Sequence, residues 1–176
     1  IRHSTSHIMA AAVLSIYPNA KLGIGPAISE GFYYDFELDH SLKMEDLAQI
    51  EVKMQEIIDS NLEFKQFTLK KSDAIKLLEK NNQSYKIELV NELDEAEYSF
   101  FQCGDFMDLC KGPHVAKTGA IKALKLQKVA GAYWRGSEKN AMLQRIYGTA
   151  WHNTKELRIY LTKLEEAAKR DHRVLG

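Results

Sequence analysis

The clearest pattern along the chain is the alternation in "GFYYDFEL", which sets Phe32, Tyr34, Phe36 and Leu38 on one face and Tyr33, Asp35 and Glu37 on the other. A period of two rich in aromatic residues predicts a half-buried strand. Between Met44 and Ser60 the period lengthens. Leu47, Ile50, Met54, Ile57 and Ile58 recur at helical spacing, with Glu45 and Asp46 suited to the positive end of a helix dipole. Residues 4–17 predict another helix, with Ser4 or Thr5 as its cap and Pro18 as its stop. The glycine-punctuated "KLGIGPAISEG" reads as loop or edge strand.

Further on, "LEFKQFTL" predicts a strand, and Ser72 stands where it would cap a short helix through Lys80. "KIELV", "YSFFQ" and "FMDL" are short strand candidates, and "IKALKLQKV" and "MLQRIYGTA" are two more. A last helix spans 154–170, with Leu157, Leu161 and Leu164 along one side and lysines outward. Helices and strands mix without a βαβ rhythm, so the pattern predicts an α+β fold with antiparallel strands.

Composition changes this picture little. Lys+Arg and Asp+Glu balance at 24 each, so any attraction to nucleic acid has to be local. No run approaches the roughly 18 consecutive apolar residues of a membrane helix, and no membrane partner is expected. Cys103 and Cys110, the two cysteines, make no disulfide framework, which points to a reducing, cytoplasmic setting. The chain starts without Met and ends just past a helix, and we read it as a domain of a longer protein.

The chemistry concentrates in two short motifs. "HSTSH" puts His3 and His7 four apart on a helix, where both imidazoles share one face. "DLCKGPH" carries Cys110 and His114 around Gly112 and Pro113, which exclude a regular helix and require a turn. One such pair is more often chance than ligand. Two matched pairs use four of the eight His and Cys residues and match the donor set of tetrahedral zinc. Asp108, two positions before Cys110, is either a turn cap or a buried partner for Lys86 or a substrate amine. Lys86 by default is a surface lysine, and Cys103, with no histidine partner, a structural one. "GAYWRG" either holds RNA through Tyr133 and Arg135 or is a tight turn. The lysines at 117, 122, 125 and 128 form a phosphate face or simply a solvated strand.

Taken together, "RHSTSH", "GIGP", "GFYYDF", "GDFMDLCKGPH", "KVAGAYWRG" and "MLQRIYGTAW" resemble the editing domain of bacterial-type threonyl-tRNA synthetase. The resemblance covers residues 1–152, with a small helix-and-strand subdomain around 44–100. Residues 153–176 look like the linker helix toward that enzyme's catalytic domain. The paired HxxxH and CxxxH motifs are shared with alanyl-tRNA synthetase editing domains. The fold implied is an antiparallel sheet with the HxxxH helix packed on it. The activity implied is hydrolysis of serine mis-attached to the threonine tRNA. A synthetic pocket made for threonine excludes serine poorly, because one methyl is worth only about 1–3 kcal/mol.

By that resemblance, His3, His7, Lys86, Asp108, Cys110 and His114 form the catalytic site. His3 would activate water, Lys86 would stabilise the oxyanion, and Asp108 would receive the serine ammonium. Gly25 would lie where the backbone nears the substrate, and Phe101 stands where some members carry a tyrosine for the terminal adenosine. The aminoacylated tRNA end is the implied partner, and the parent enzyme would dimerise through other domains. No cofactor is required, but zinc on His3, His7, Cys110 and His114 is an open alternative to a water-based site. Two other readings are a freestanding alanyl-type deacylase and a non-catalytic zinc or RNA-binding module.

Overall fold

The computed structural model describes residues 1–175. In chain order the elements are α1 (Arg2–Ile16), β1 (Lys21–Leu22), β2 (Ala27–Ile28), β3 (Gly31–Glu37), α2 (Met44–Asp59), β4 (Phe64–Leu69), α3 (Lys71–Lys80), α4 (Ser84–Glu92), β5 (Tyr98–Cys103), β6 (Phe106–Leu109), β7 (Ala123–Tyr133), β8 (Met142–Trp151) and α5 (Thr154–Leu175). They build two antiparallel sheets and the expected α+β fold. The larger sheet runs β1-β3-β8-β7, with β2 also paired to β3, and the smaller runs β4-β5-β6.

The alternation over β3 works as its period requires: Phe32, Tyr34 and Phe36 are fully buried. They meet Ile8, Met9 and Val13 of α1, and Leu47, Ile50 and Met54 of α2, in the main core. Asp35 is the exception on the outer face. It is buried because Arg145 of β8 grips both its oxygens, at 2.7 and 3.0 Å.

Helix α1 is buried almost all round, with Ser4 through Ala10 inaccessible. Its serines and alanines let it lie close to β3, β8 and α2 at once. It begins earlier than expected, at Arg2, so Ser4 and Thr5 are helical residues and not caps. Thr5 turns both its backbone N–H and its hydroxyl back to the Ile1 carbonyl. Ser72 is corrected in the same way: α3 starts at Lys71, and no side chain caps it. The α2 start is closer to expectation, with Lys43 N–H donating to Asp46 Oδ2 at 2.8 Å.

"KIELV" is helix, not strand. In so short a run either period fits the apolar residues, and tertiary contacts decide. Lys86 and Val90, four apart, both point inward. Buried Gln83 anchors the start of α4 by accepting Leu22 N–H and donating to the Ala20 carbonyl. The smaller sheet packs Phe100 and Tyr98 against Ala74 and Leu78 of α3. Helix α2 packs in the main core with the larger sheet, and the smaller sheet ends at β6. Helix α5 returns over β8, with Tyr160 5.1 Å from Trp151. No helix among the described residues is long and apolar enough to cross a membrane.

The buried stripe of α2 gives a direct test of this packing. Met54→Ala, at a fully buried position, should lower stability by about 2–5 kcal/mol in chemical denaturation. Val52→Ala, on the solvent face two residues earlier, should change it by less than about 0.5 kcal/mol.

Candidate functional site

The first turns of α1 present His3 and His7 on one face, and the chain leaving β6 brings Cys110 and His114 against them. Gly112 makes that approach possible. Its φ of +75° belongs to the left-handed region that L side chains avoid, and its N–H donates to Cys110 Sγ at 3.3 Å. His3 Nε2 lies 2.9 Å from both His7 Nε2 and Cys110 Sγ. The His114 ring centroid is 4.8 Å from that of His3 and 5.2 Å from that of His7. One ligating atom from each of the four residues falls within 4.8 Å of the others. The two motifs, 107 residues apart at His3 and Cys110, come together in the fold.

Beneath them lies Asp108, essentially inaccessible. Its Oδ1 is 3.2 Å from Lys86 Nζ. Its Oδ2 accepts the Tyr34 hydroxyl at 2.5 Å and lies 2.9 Å from His7 Nδ1, an oblique approach without the alignment of a full hydrogen bond. Of the two readings for Asp108, the buried partner of Lys86 is therefore correct. Lys86 itself is buried, against the surface default. Tyr34 was legible only as a core position of β3. The available signal was its hydroxyl: a tyrosine on a buried face needs a polar partner.

These contacts set the protonation states. Burial alone would raise the Asp108 carboxyl, but Lys86, His7 and Tyr34 outweigh it and hold the group well below the usual carboxylate range. Burial, followed by the neighbouring His7, lowers His3 to about 4; burial with His7 and His3 lowers His114 to about 3. Burial also lowers His7, partly offset by Asp108. The Cys110 thiol is pushed up to about 11, chiefly by burial. At neutral pH the centre thus holds three neutral imidazoles and a thiol above the Asp108 carboxylate, with Lys86 beside it. Neutral imidazole is the form that ligates metal, and the four residues have the composition and spacing to hold a metal ion.

Phe101 forms a wall, its ring 4.5 Å from His7 and 4.4 Å from His114. Gly25 is tied to α1 through its carbonyl, which accepts the Ser6 hydroxyl at 2.8 Å. A Cβ on Gly25 would sit 2.0 Å from the Tyr34 ring, so only glycine lets the segment between β1 and β2 cross it. Tyr133 and Arg135 lie elsewhere, lining a separate depression of about 320 Å³ with Ile24, Leu89 and Arg145. There Trp134 is buried, Tyr133 is exposed and Arg135 pairs with Glu92. Lys117, Lys122, Lys125 and Lys128 are exposed. Cys103 is buried, as expected for a structural cysteine. His3 opens onto a depression of about 660 Å³, bordered by Arg2, Ile28, Pro113 and Trp151. The Arg2 guanidinium lies 4.6 Å over the Trp151 ring.

Residues 99–147, which carry Asp108, Cys110 and His114, match the family described as "Threonyl and Alanyl tRNA synthetase second additional domain". That segment of the chain belongs to the family. Within it, the full-length similarity is to the threonyl side. The chain is 55% identical over 176 residues to a threonine–tRNA ligase of Acetivibrio thermocellus, covering 99% of this chain. It is 56% identical over 177 residues to that of Clostridium tetani and 54% identical over 176 residues to that of Geobacter sp. strain M21, each covering 100% of this chain. In all three cases it spans 28% of the relative's length.

The buried pair is open to a stability test. Lys86→Met leaves Asp108 charged in a dry setting, and should cost about 3–5 kcal/mol in denaturant unfolding. Lys53→Met, which breaks the more exposed Lys53–Glu56 pair, should cost no more than about 1 kcal/mol.

Proposed function

We propose that this domain is a proofreading deacylase, hydrolysing the ester of serine mis-attached to the threonine tRNA. One observation carries the reading: Asp108, His7 and His3 form a chain that starts at a buried charge and ends at a solvent-open depression. The Asp108 carboxylate favours a proton on His7 Nδ1. His7 Nε2 then offers a lone pair, and His3 donates to it through Nε2–H. That leaves the lone pair of His3 Nδ1 for a water molecule. A neutral, partly buried imidazole carries the free lone pair that takes that water's proton.

The remaining groups serve the same hydrolysis. The water attacks the ester carbonyl, and the tetrahedral intermediate carries a negative oxygen. The Lys86 ammonium uses one of its three N–H donors on Asp108 and contributes positive charge toward that oxygen. The proton taken by His3 then passes to the departing ribose oxygen. Asp108 has both oxygens engaged, so it acts by orienting His7 and Lys86, and not as the receptor of the substrate ammonium. Phe101, Cys110 and His114 wall the pocket against the extra methyl of threonine. The depression beside Arg2 and Trp151 accommodates the end of the RNA, and Tyr133 and Arg135 belong to a more distant part of its footprint. The whole synthetase then works in the cytoplasm as a dimer joined through segments outside this chain.

Zinc is the second reading, favoured by the four converging donors. Held by His3, His7, Cys110 and His114, it would supply a Lewis acid at the ester or water oxygen. Because a neutral histidine already stands at the open depression, hydrolysis should survive exhaustive chelation, with elemental analysis verifying the loss of metal. Activity that vanishes and returns with zinc alone would assign the ion a catalytic role.

The principal test compares substrates. The purified chain should deacylate seryl-tRNA over threonyl-tRNA by about tenfold or more, the scale of one methyl group. His3→Ala should slow seryl hydrolysis by about 10²–10⁴-fold. Equal rates on the two esters would refute the proofreading assignment, and faster turnover of alanyl-tRNA would favour an alanyl-type deacylase.

A further inference from the structure

Ser4 stands between the two histidines of α1 and is fully buried. Its Oγ accepts the Val115 N–H at 2.9 Å and lies 3.3 Å from His114 Nδ1. The Ile1 carbonyl, one turn back along α1, is already taken by the Thr5 N–H and the Thr5 hydroxyl, at 2.9 and 2.7 Å. The Ser4 hydroxyl hydrogen therefore points to His114 Nδ1, which acts as acceptor. A neutral imidazole that accepts at Nδ1 carries its hydrogen at Nε2. His114 Nε2 is buried and has no partner among the described residues.

We propose that Ser4 is a positioning residue for the hydrolytic site, holding His114 as its Nε2–H tautomer with an unpaired donor inside the four-residue cluster. One side chain thus joins the HxxxH helix to the CxxxH loop and selects which ring nitrogen of His114 carries hydrogen. The donor belongs to a ring packed 4.8 Å from His3 and 5.2 Å from His7 by centroid, so its orientation counts toward the rate more than toward substrate affinity. A metal ion at Nε2 would require the hydrogen to move to Nδ1, leaving the Ser4 hydroxyl hydrogen without its acceptor. The catalytic consequence rests on the deacylase reading, but the tautomer does not.

The test is nitrogen-15 NMR of the histidine-labelled chain, with His114 assigned by its loss in His114→Gln. Wild type should show the Nε2–H tautomer at His114, and Ser4→Ala should shift the ring toward a mixture. In the same variant kcat for seryl-tRNA should fall about tenfold, the worth of one hydrogen bond, with KM within about twofold. An Nδ1–H tautomer in wild type overturns the proposal, as does an unchanged His114 spectrum in a folded Ser4→Ala chain. Should Ser4→Ala fail to fold, the wild-type spectrum decides alone. A wild-type chain inactive on seryl-tRNA would count against the deacylase reading and leave the tautomer result standing.

Discussion

A carboxylate sealed away from water has to be compensated locally or it does not stay ionised, and Asp108 imposes that demand on the rest of this domain. Its partners come from three elements besides its own strand: His7 from α1, Tyr34 from β3 and Lys86 from α4. The α1 helix, the central strand of the larger sheet and the helix beside Gln83 are consequently held to one point. Removing any of these partners leaves charge without compensation. That makes the centre a strong constraint on how the two sheets are arranged.

The same compensation shapes the chemistry. Burial keeps His3, His7 and His114 neutral and the Cys110 thiol protonated, while Asp108 keeps its charge beside Lys86. Orientation then determines what each imidazole offers. In the proposed arrangement the Asp108 side directs a lone pair outward through His7 and His3, and the Ser4 side directs an N–H inward through His114. A base and a donor are created from chemically identical rings by what lies behind them. Because neutral imidazoles also ligate metal, the centre is suited both to water chemistry and to an ion.

Particular residues show how far the sequence was readable. The alternation of β3, the stripe of α2 and the pairing of HSTSH with CKGPH were legible because each is periodic or repeats a donor spacing. "KIELV" was not, since five residues fit a strand and a helix equally well and only burial of Lys86 and Val90 distinguishes them. Ser4 looked like a helix cap because serine is a frequent cap. In the fold it lies inside α1, bonded to a loop 111 residues away. Tyr34 looked like another aromatic core residue, and its hydroxyl acquires meaning only once Asp108 is beneath it.

What the sequence by itself determined is therefore the set of elements with clear periods and the four donors that form the centre, along with the family their motifs mark. Local order is encoded locally, in apolar spacing and in the turn chemistry of Gly112. Only the tertiary structure decided that Lys86 is buried and that Asp108 binds inward to Tyr34, His7 and Lys86. It also decided that His7 is the most deeply buried of the three histidines and that Tyr133 and Arg135 lie apart from the centre. The physical reason is that these properties depend on desolvation and on hydrogen bonds between residues distant in the chain, and neither is set by neighbouring residues alone.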